Sequence, residues 1–269
     1  MKIAVAQMNI VWNNKQANYI KAASFAKIAS KEGADVIVFP EMFTTGFTTD
    51  IHFATESFDG ETPSLMRSIA REHKLMVIGG YVQSQKNDKP VNVSLSVDKN
   101  GTSLATYAKI HLISLLNEDK SCSAGYLPVT FQLGKTRAAS LICYDLRFPE
   151  LFRLLADQCG LIFVIASWPS VRQAHWDILL PARAVENQLF IVGVNRVGNG
   201  GGHTFTGGSA VIDPAGHVIA SGGKHESLFC ADIDLSMVQK IRREMPFLKD
   251  RKKHIFQKLN NDPLKKSSF

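Results

Sequence analysis

The stretch that most constrains this chain is 138–150, AASLICYDLRFPE. Its small, apolar first five residues have the length of a buried strand. The chain then turns polar, and Phe148-Pro149-Glu150 opens a helix with proline in the tolerated first turn. Cys143 therefore stands at a strand-to-helix corner beyond the carboxyl edge of a sheet, where turn and helix N–H groups favour an anion. A thiol there suits nucleophilic attack, because those donors lower its pKa and hold an oxyanion. A buried free cysteine gives the same pattern, so position alone leaves both readings open.

The flanking chain supplies the sheet. Residues 1–7 read as a strand, 18–31 as a helix with Ile20, Ala23 and Ile28 at helical spacing, and 35–39 as a second strand ending at Pro40-Glu41. Helix 64–74 and strand 75–79 repeat this β-α-β pattern. After Tyr81 the rhythm becomes a hairpin, 93–97 and 103–107, turning at Asn100-Gly101. Beyond Cys143, helices 150–156 and 173–189 alternate with strands 161–165 and 190–194. The longer helix carries Ala174, Ile178, Ala182 and Val185 on one face. Strands 209–212, 218–220 and 228–233 and helix 235–244 close the chain. Crossovers mixed with hairpins predict an α/β fold of mixed sheets with helices on their outer faces, and argue against a TIM barrel.

Composition narrows the class. The 269 residues, 45% apolar and without a Pro/Gly/Ser-rich linker, predict one domain over 1–269 with a basic tail from about 255. Much of the net charge of +7 lies between Lys240 and Lys266, as a solvated surface does, with no interleaved aromatics to stack bases, so no nucleic-acid partner is expected. No apolar run approaches a membrane span, so no membrane partner is expected either. The four cysteines show neither CxxC pairing nor disulfide-framework spacing, and the N-terminus lacks the order of a signal peptide. A reducing, cytoplasmic setting is expected.

No paired Cys/His spacing suggests a metal, and Gly198–Gly202 lies outside any strand-to-helix nucleotide loop, so no metal or cofactor is expected. What remains is an acid, Glu41, a cation, Lys109, and a thiol, Cys143, each near a strand end in an otherwise apolar segment. Glu41 is equally readable as a cap, and Lys109 as a snorkelling surface lysine. Cys122, in the polar loop 117–125, reads as exposed and unsupported. Two rivals stay open: a papain-like hydrolase in which His175 or His203 activates Cys143, and a non-catalytic binding protein on the same fold.

Pro40-Glu41 after an apolar strand, Tyr107-x-Lys109-x-His111-Leu112, and the run 141–150 resemble, in order and spacing, signatures of the nitrilase superfamily of carbon–nitrogen hydrolases. The resemblance runs from residue 3 to about residue 254, taking in Ala182-Arg183-Ala184-x-Glu186-Asn187 and Asp213-Pro214-x-Gly216. It implies a four-layer α-β-β-α sandwich and a homodimer or higher homo-oligomer. It also implies Cys143 as nucleophile, Glu41 as general base and Lys109 as oxyanion-stabilising cation. Glu118, seven residues before Gly125, matches the family's second glutamate, which positions the lysine. The resemblance further implies that the Tyr144 N–H completes the oxyanion hole. The reaction implied is hydrolysis of an amide through a cysteine thioester.

Around these motifs, Trp168-Pro169, His175-Trp176 and Glu41-Met42-Phe43-x-x-Gly46-Phe47 look most like the branch that includes ω-amidases, which cleave the terminal amide of 2-oxo acid amides such as 2-oxoglutaramate. N-carbamoyl amine hydrolysis and deaminated glutathione hydrolysis are the alternatives on the same core. Phe43, Phe47 and Trp168 are expected to wall a small pocket. Arg147 or Arg172, with His175 nearby, is expected to meet a substrate carboxylate, although Arg147 is equally able to pair with Glu150 or Glu186.

Overall fold

A computed structural model describes residues 1–48 and 50–255. The expected basic tail, apart from residue 255, lies outside the described residues. Twelve strands build two main sheets. In chain order they are β1 (Lys2–Gln7), β2 (Val36–Val38), β3 (Met76–Gln83), β4 (Val91–Val97), β5 (Ser103–Ala108), β6 (Thr130–Leu133), β7 (Thr136–Ile142), β8 (Cys159–Ala166), β9 (Phe190–Asn195), β10 (Ala210–Ile212), β11 (Val218–Ser221) and β12 (Ser227–Asp232). The first sheet runs β12-β1-β2-β3-β4-β5, with the short strand Thr55–Glu56 beside β3. The second runs β11-β10-β9-β8-β7-β6. Each has a parallel centre, β1-β2-β3 and β7-β8-β9, flanked by antiparallel strands.

Alternation along β1 shows how the layers form. Ile3 and Val5 join the cluster shared with Ile142, Leu141 and Val192 of the second sheet, whereas Ala4 and Ala6 turn to the other side. There they meet helix α1 (Lys15–Lys31) through Ala22, Ala26 and Ala29. Small side chains on both partners let helix and sheet approach closely. The face expected from Ile20 and Ile28 is exposed instead, because alanines, not isoleucines, fit that contact.

Helix α2 (Glu61–His73) lies beside α1. Helices α3 (Pro149–Ala156) and α4 (Gln173–Asn187) cover the second sheet, and α5 (Ser236–Glu244) follows β12. The result is an α-β-β-α sandwich. Helix α4 departs from expectation: it buries Trp176, Leu180, Arg183, Ala184 and Asn187, and turns Ile178 and Val185 outward. Two faces of α4 have apolar residues at helical spacing, and bulky Trp176 and Leu180 pack against Gly193 of β9.

Candidate active site

The carboxyl ends of the central strands converge from both sheets. Glu41 follows β2 through a turn in which Met42 has φ +44°, and the turn lies against Gly80 of β3, where a Cβ would stand 2.9 Å from Glu41 Cα. Only glycine admits that approach. Lys109 follows β5, where Gly125 packs against the Ala108 carbonyl and donates its N–H to Lys109 O at 2.8 Å. Glu118 opens the four-residue helix Glu118–Ser121. From the second sheet, Cys143 follows β7 and Ser167 follows β8.

These side chains meet in the interior. Lys109 Nζ donates to Glu41 Oε1 at 2.9 Å and to both oxygens of Glu118 at 3.0 and 2.9 Å, with lysine and Glu41 fully buried. The Ser167 N–H donates to Glu41 Oε2 at 2.9 Å, and the Ile113 N–H to Glu118 Oε2 at 2.9 Å. Burial alone would push the Lys109 ammonium down, but the Glu118 and Glu41 carboxylates outweigh it and hold it well above the ordinary lysine range.

Cys143 differs from expectation in one respect. Burial first, then the Glu41 carboxylate, push its thiol well up, and Lys109 only partly offsets them. The corner was expected to lower the thiol. Between β7 and α3, however, lies only the short 3-10 turn Cys143–Arg147, whose few N–H groups do not outweigh a buried carboxylate. At rest Cys143 is a neutral thiol beside the Glu41 carboxylate. Its backbone sits in the left-handed region, φ +46°, unusual for a residue with a Cβ.

Asp145 fastens that turn. Fully buried, it accepts from the Ile142 N–H at 3.0 Å, the Tyr107 hydroxyl at 2.8 Å and the His111 N–H at 3.1 Å, and it meets His111 Nδ1 at 2.8 Å. Tyr107 and His111, which stand two positions either side of Lys109, are thus tied to the turn that carries Cys143. The sequence reading missed Asp145, and also Asn92 of β4, whose Nδ2 donates to Glu41 Oε1 at 2.8 Å and to Glu118 Oε1 at 2.9 Å.

Above the thiol a narrow cleft is lined by Phe47, Tyr144, Arg147, Trp168 and Arg172, with Ile113 and Leu116 at its edge. Phe43 is elsewhere: it stacks on Phe39 at 4.9 Å in the core between the first sheet and its helices, because the turn after Glu41 sends it under β3. The Arg147 guanidinium lies over the Trp168 ring at 4.6 Å and its Nη1 is 3.1 Å from His175 Nδ1. Glu186 pairs with Arg183 instead, at 3.0 Å. Arg172 lines the cleft, and its Nη2 is buried without a partner among the described residues.

The histidine rivals find no support. His175 faces Arg147, and His203 lies in the hairpin formed by Val197–Gly200 and His203–Thr206. Cys122 is buried rather than exposed, packed close behind Glu118, and burial pushes its thiol up to about 12.

Residues 2–243 match the carbon-nitrogen hydrolase family. The 2-oxoglutaramate amidase of Bacillus subtilis (strain 168) is 35% identical over 256 residues, covering 94% of this chain and 98% of the relative. Among solved structures, a CN-hydrolase superfamily protein from Xanthomonas campestris with an arsenic adduct in its active site superposes with a TM-score of 0.88 at 28% identity, covering 93% of this chain and 97% of that one. A mutant amidase from Nesterenkonia sp. AN1, to whose active-site cysteine acrylamide has added, superposes with a TM-score of 0.84 at 26% identity, covering 96% and 99%.

Proposed function

This chain belongs to the carbon–nitrogen hydrolase family, and from that premise we propose that it is an ω-amidase, hydrolysing the terminal amide of 2-oxo acid amides such as 2-oxoglutaramate. The observation that carries the chemistry is the meeting of Glu41, Lys109, Glu118 and Cys143 in one buried cluster. The observation that favours this substrate class is a pair of arginines, Arg147 and Arg172, in the cleft above it.

The steps follow from where the protons are. A neutral thiol attacks an amide poorly, so Glu41 takes the Cys143 proton as sulfur bonds to the carbonyl carbon. Negative charge then builds on the carbonyl oxygen. Lys109 and the Tyr144 N–H stabilise it, each by about 3 kcal/mol. Collapse restores the carbonyl and breaks the C–N bond, and Glu41 returns its proton to the leaving nitrogen, so ammonia departs and a thioester remains. Water, deprotonated by Glu41, attacks the thioester, and the proton goes back to sulfur as the carboxylic acid leaves. At the far end of the substrate, an arginine fork suits a carboxylate.

Both sheets contribute to one site, which supports reading the chain as a single catalytic domain. The outward face of α4, with Ile178 and Val185, supports a homodimer joined through the helices of the second sheet. A thiol nucleophile suits a reducing cytoplasm. The test is ammonia release from a panel of 2-oxo acid ω-amides, N-carbamoyl amines, deaminated glutathione and nitriles, with Cys143→Ala in parallel. Release from an ω-amide that vanishes in the variant supports the proposal. Release only from a carbamoyl compound or deaminated glutathione overturns the substrate, and no release at all overturns the activity and returns the binding-protein reading.

A further inference from the structure

Asn92 closes a ring. Glu41 Oε1, Lys109 Nζ, Glu118 Oε1 and Asn92 Nδ2 alternate as acceptor and donor at 2.9, 3.0, 2.9 and 2.8 Å around the circuit. All four side chains are buried. Asn92 reaches this place by register: Val93 pairs with Ala108 across β4 and β5, and the Lys109 N–H donates to Asn92 O at 2.9 Å, so Asn92 and Lys109 are cross-strand neighbours.

The ring contains two carboxylates and one ammonium, which leaves an excess negative charge out of water, a costly arrangement unless it is dispersed by hydrogen bonds. The amide nitrogen of asparagine has two hydrogens and delivers one to each carboxylate. Its orientation is fixed, because the flipped amide would set its oxygen against both carboxylates. The oxygen itself, Asn92 Oδ1, is buried without a partner among the described residues. A buried unpaired acceptor is destabilising, so the side chain is held for its nitrogen and not for its oxygen.

We propose that Asn92 is a positioning residue of the amidase reaction, holding the Glu41 and Glu118 carboxylates in place by hydrogen bonds and freeing Lys109 to serve the oxyanion. This rests on the function proposed above. In the resting site the three Lys109 hydrogens are committed to Glu41 Oε1 and the two oxygens of Glu118. When the tetrahedral oxyanion forms, one of them must turn to it. Whether Lys109 releases Glu41 Oε1 or Glu118 Oε1, Asn92 still covers that oxygen, while the Ser167 N–H remains on Glu41 Oε2 and the Ile113 N–H on Glu118 Oε2. No carboxylate oxygen is then left bare.

The test compares wild type, Asn92→Leu and Asn92→Asp in two pH profiles: ammonia release from the preferred amide, and alkylation of Cys143 by iodoacetamide, which needs no turnover. The other groups facing the two carboxylates stay in place, namely Lys109, Cys143 and the Ser167 N–H around Glu41, and Lys109, the Ile113 N–H and Cys122 around Glu118. With both donors lost, Asn92→Leu is expected to lower kcat on the order of tenfold or more, with a much smaller effect on KM. The acidic limb of both profiles should move to higher pH. Asn92→Asp should lose activity at neutral pH and regain part of it in acid, where the new carboxyl is protonated and donates again. A folded Asn92→Leu whose acidic limb coincides with wild type overturns the inference. If that variant does not fold, an unchanged profile in the isosteric Asn92→Asp does so. A wild-type Cys143 that titrates and reacts as an ordinary thiol would instead overturn the nucleophile, a separate failure.

Discussion

Arg147 and His175 meet across the mouth of the cleft at 3.1 Å, Nη1 to Nδ1, and neither pairs with an acidic side chain among the described residues. A guanidinium only donates, so the imidazole accepts at Nδ1 in this contact. Burial pulls the Arg147 pKa down from its usual range, the direction expected of a cation short of a counter-charge. Arg172 adds a second guanidinium whose Nη2 has no partner among the described residues.

A substrate carboxylate would fill that role. Arg147→Gln or Arg172→Gln should raise KM for a 2-oxo acid ω-amide on the order of tenfold to a hundredfold, the value of one charge-assisted hydrogen bond. A neutral amide such as propionamide should be hydrolysed as before. Steady-state kinetics on both compounds checks this, and an equal loss on the two would remove the arginines from carboxylate recognition.

Lys109 holds two buried carboxylates together, so Lys109→Met should cost on the order of 3–5 kcal/mol of folding stability besides abolishing turnover. Glu41→Gln, which leaves the lysine its partner Glu118, should cost less. Urea unfolding of both variants decides the order; equal stabilities would mean that the ion cluster is not held as described.

Two buried thiols that have no part in the proposed reaction make stability fall in alkali. Burial pushes Cys122 up to about 12 and Cys159 up to about 11, against about 8.5 in an unfolded chain. Between those values the unfolded chain has released protons that the folded chain retains. Stability is therefore complete below about pH 8.5 and declines above it, by up to about 1.4 kcal/mol per pH unit for each thiol. The double variant Cys122→Ala/Cys159→Ala should show a shallower decline from pH 8.5 to 10 in urea titrations. Parallel declines would refute it.

On α4, Ile178 is 66% exposed and Val185 42% exposed. Ile178→Glu should convert a dimer into monomers in sedimentation velocity without loss of helix content. A wild type that sediments as a monomer would sink the proposed dimer.

The strand-to-helix corner, the β-α-β opening and the hairpin at Asn100-Gly101 were readable because each rests on local chemistry: apolar runs, a tolerated proline, a turn dipeptide. Long-range partners were not. The thiol of Cys143 is pushed up first by burial and then by a carboxylate 102 residues earlier in the chain, and no window around the corner contains either cause. Asn92 escaped because the strand was read from residue 93. In VNVSLSV every second residue is polar, the pattern of a strand half in water, yet every residue of β4 is buried. Ser94 explains part of that pattern, since its hydroxyl is 2.6 Å from that of Ser140 in the opposite sheet. Phe43 was misplaced because the backbone at Met42, not apolarity, decides which side of the sheet it joins.

The proposed base and cation come from one sheet and the thiol from the other. During synthesis the first sheet's central strands emerge well before residue 143, and they contain nothing able to form a thioester. A chain arrested there, or one whose sheets have slid apart, has no base beside the sulfur, and a thiol without a base attacks an amide poorly. Docking of the sheets brings Glu41 to the thiol, so under the proposed mechanism amide cleavage reports that both sheets are in place.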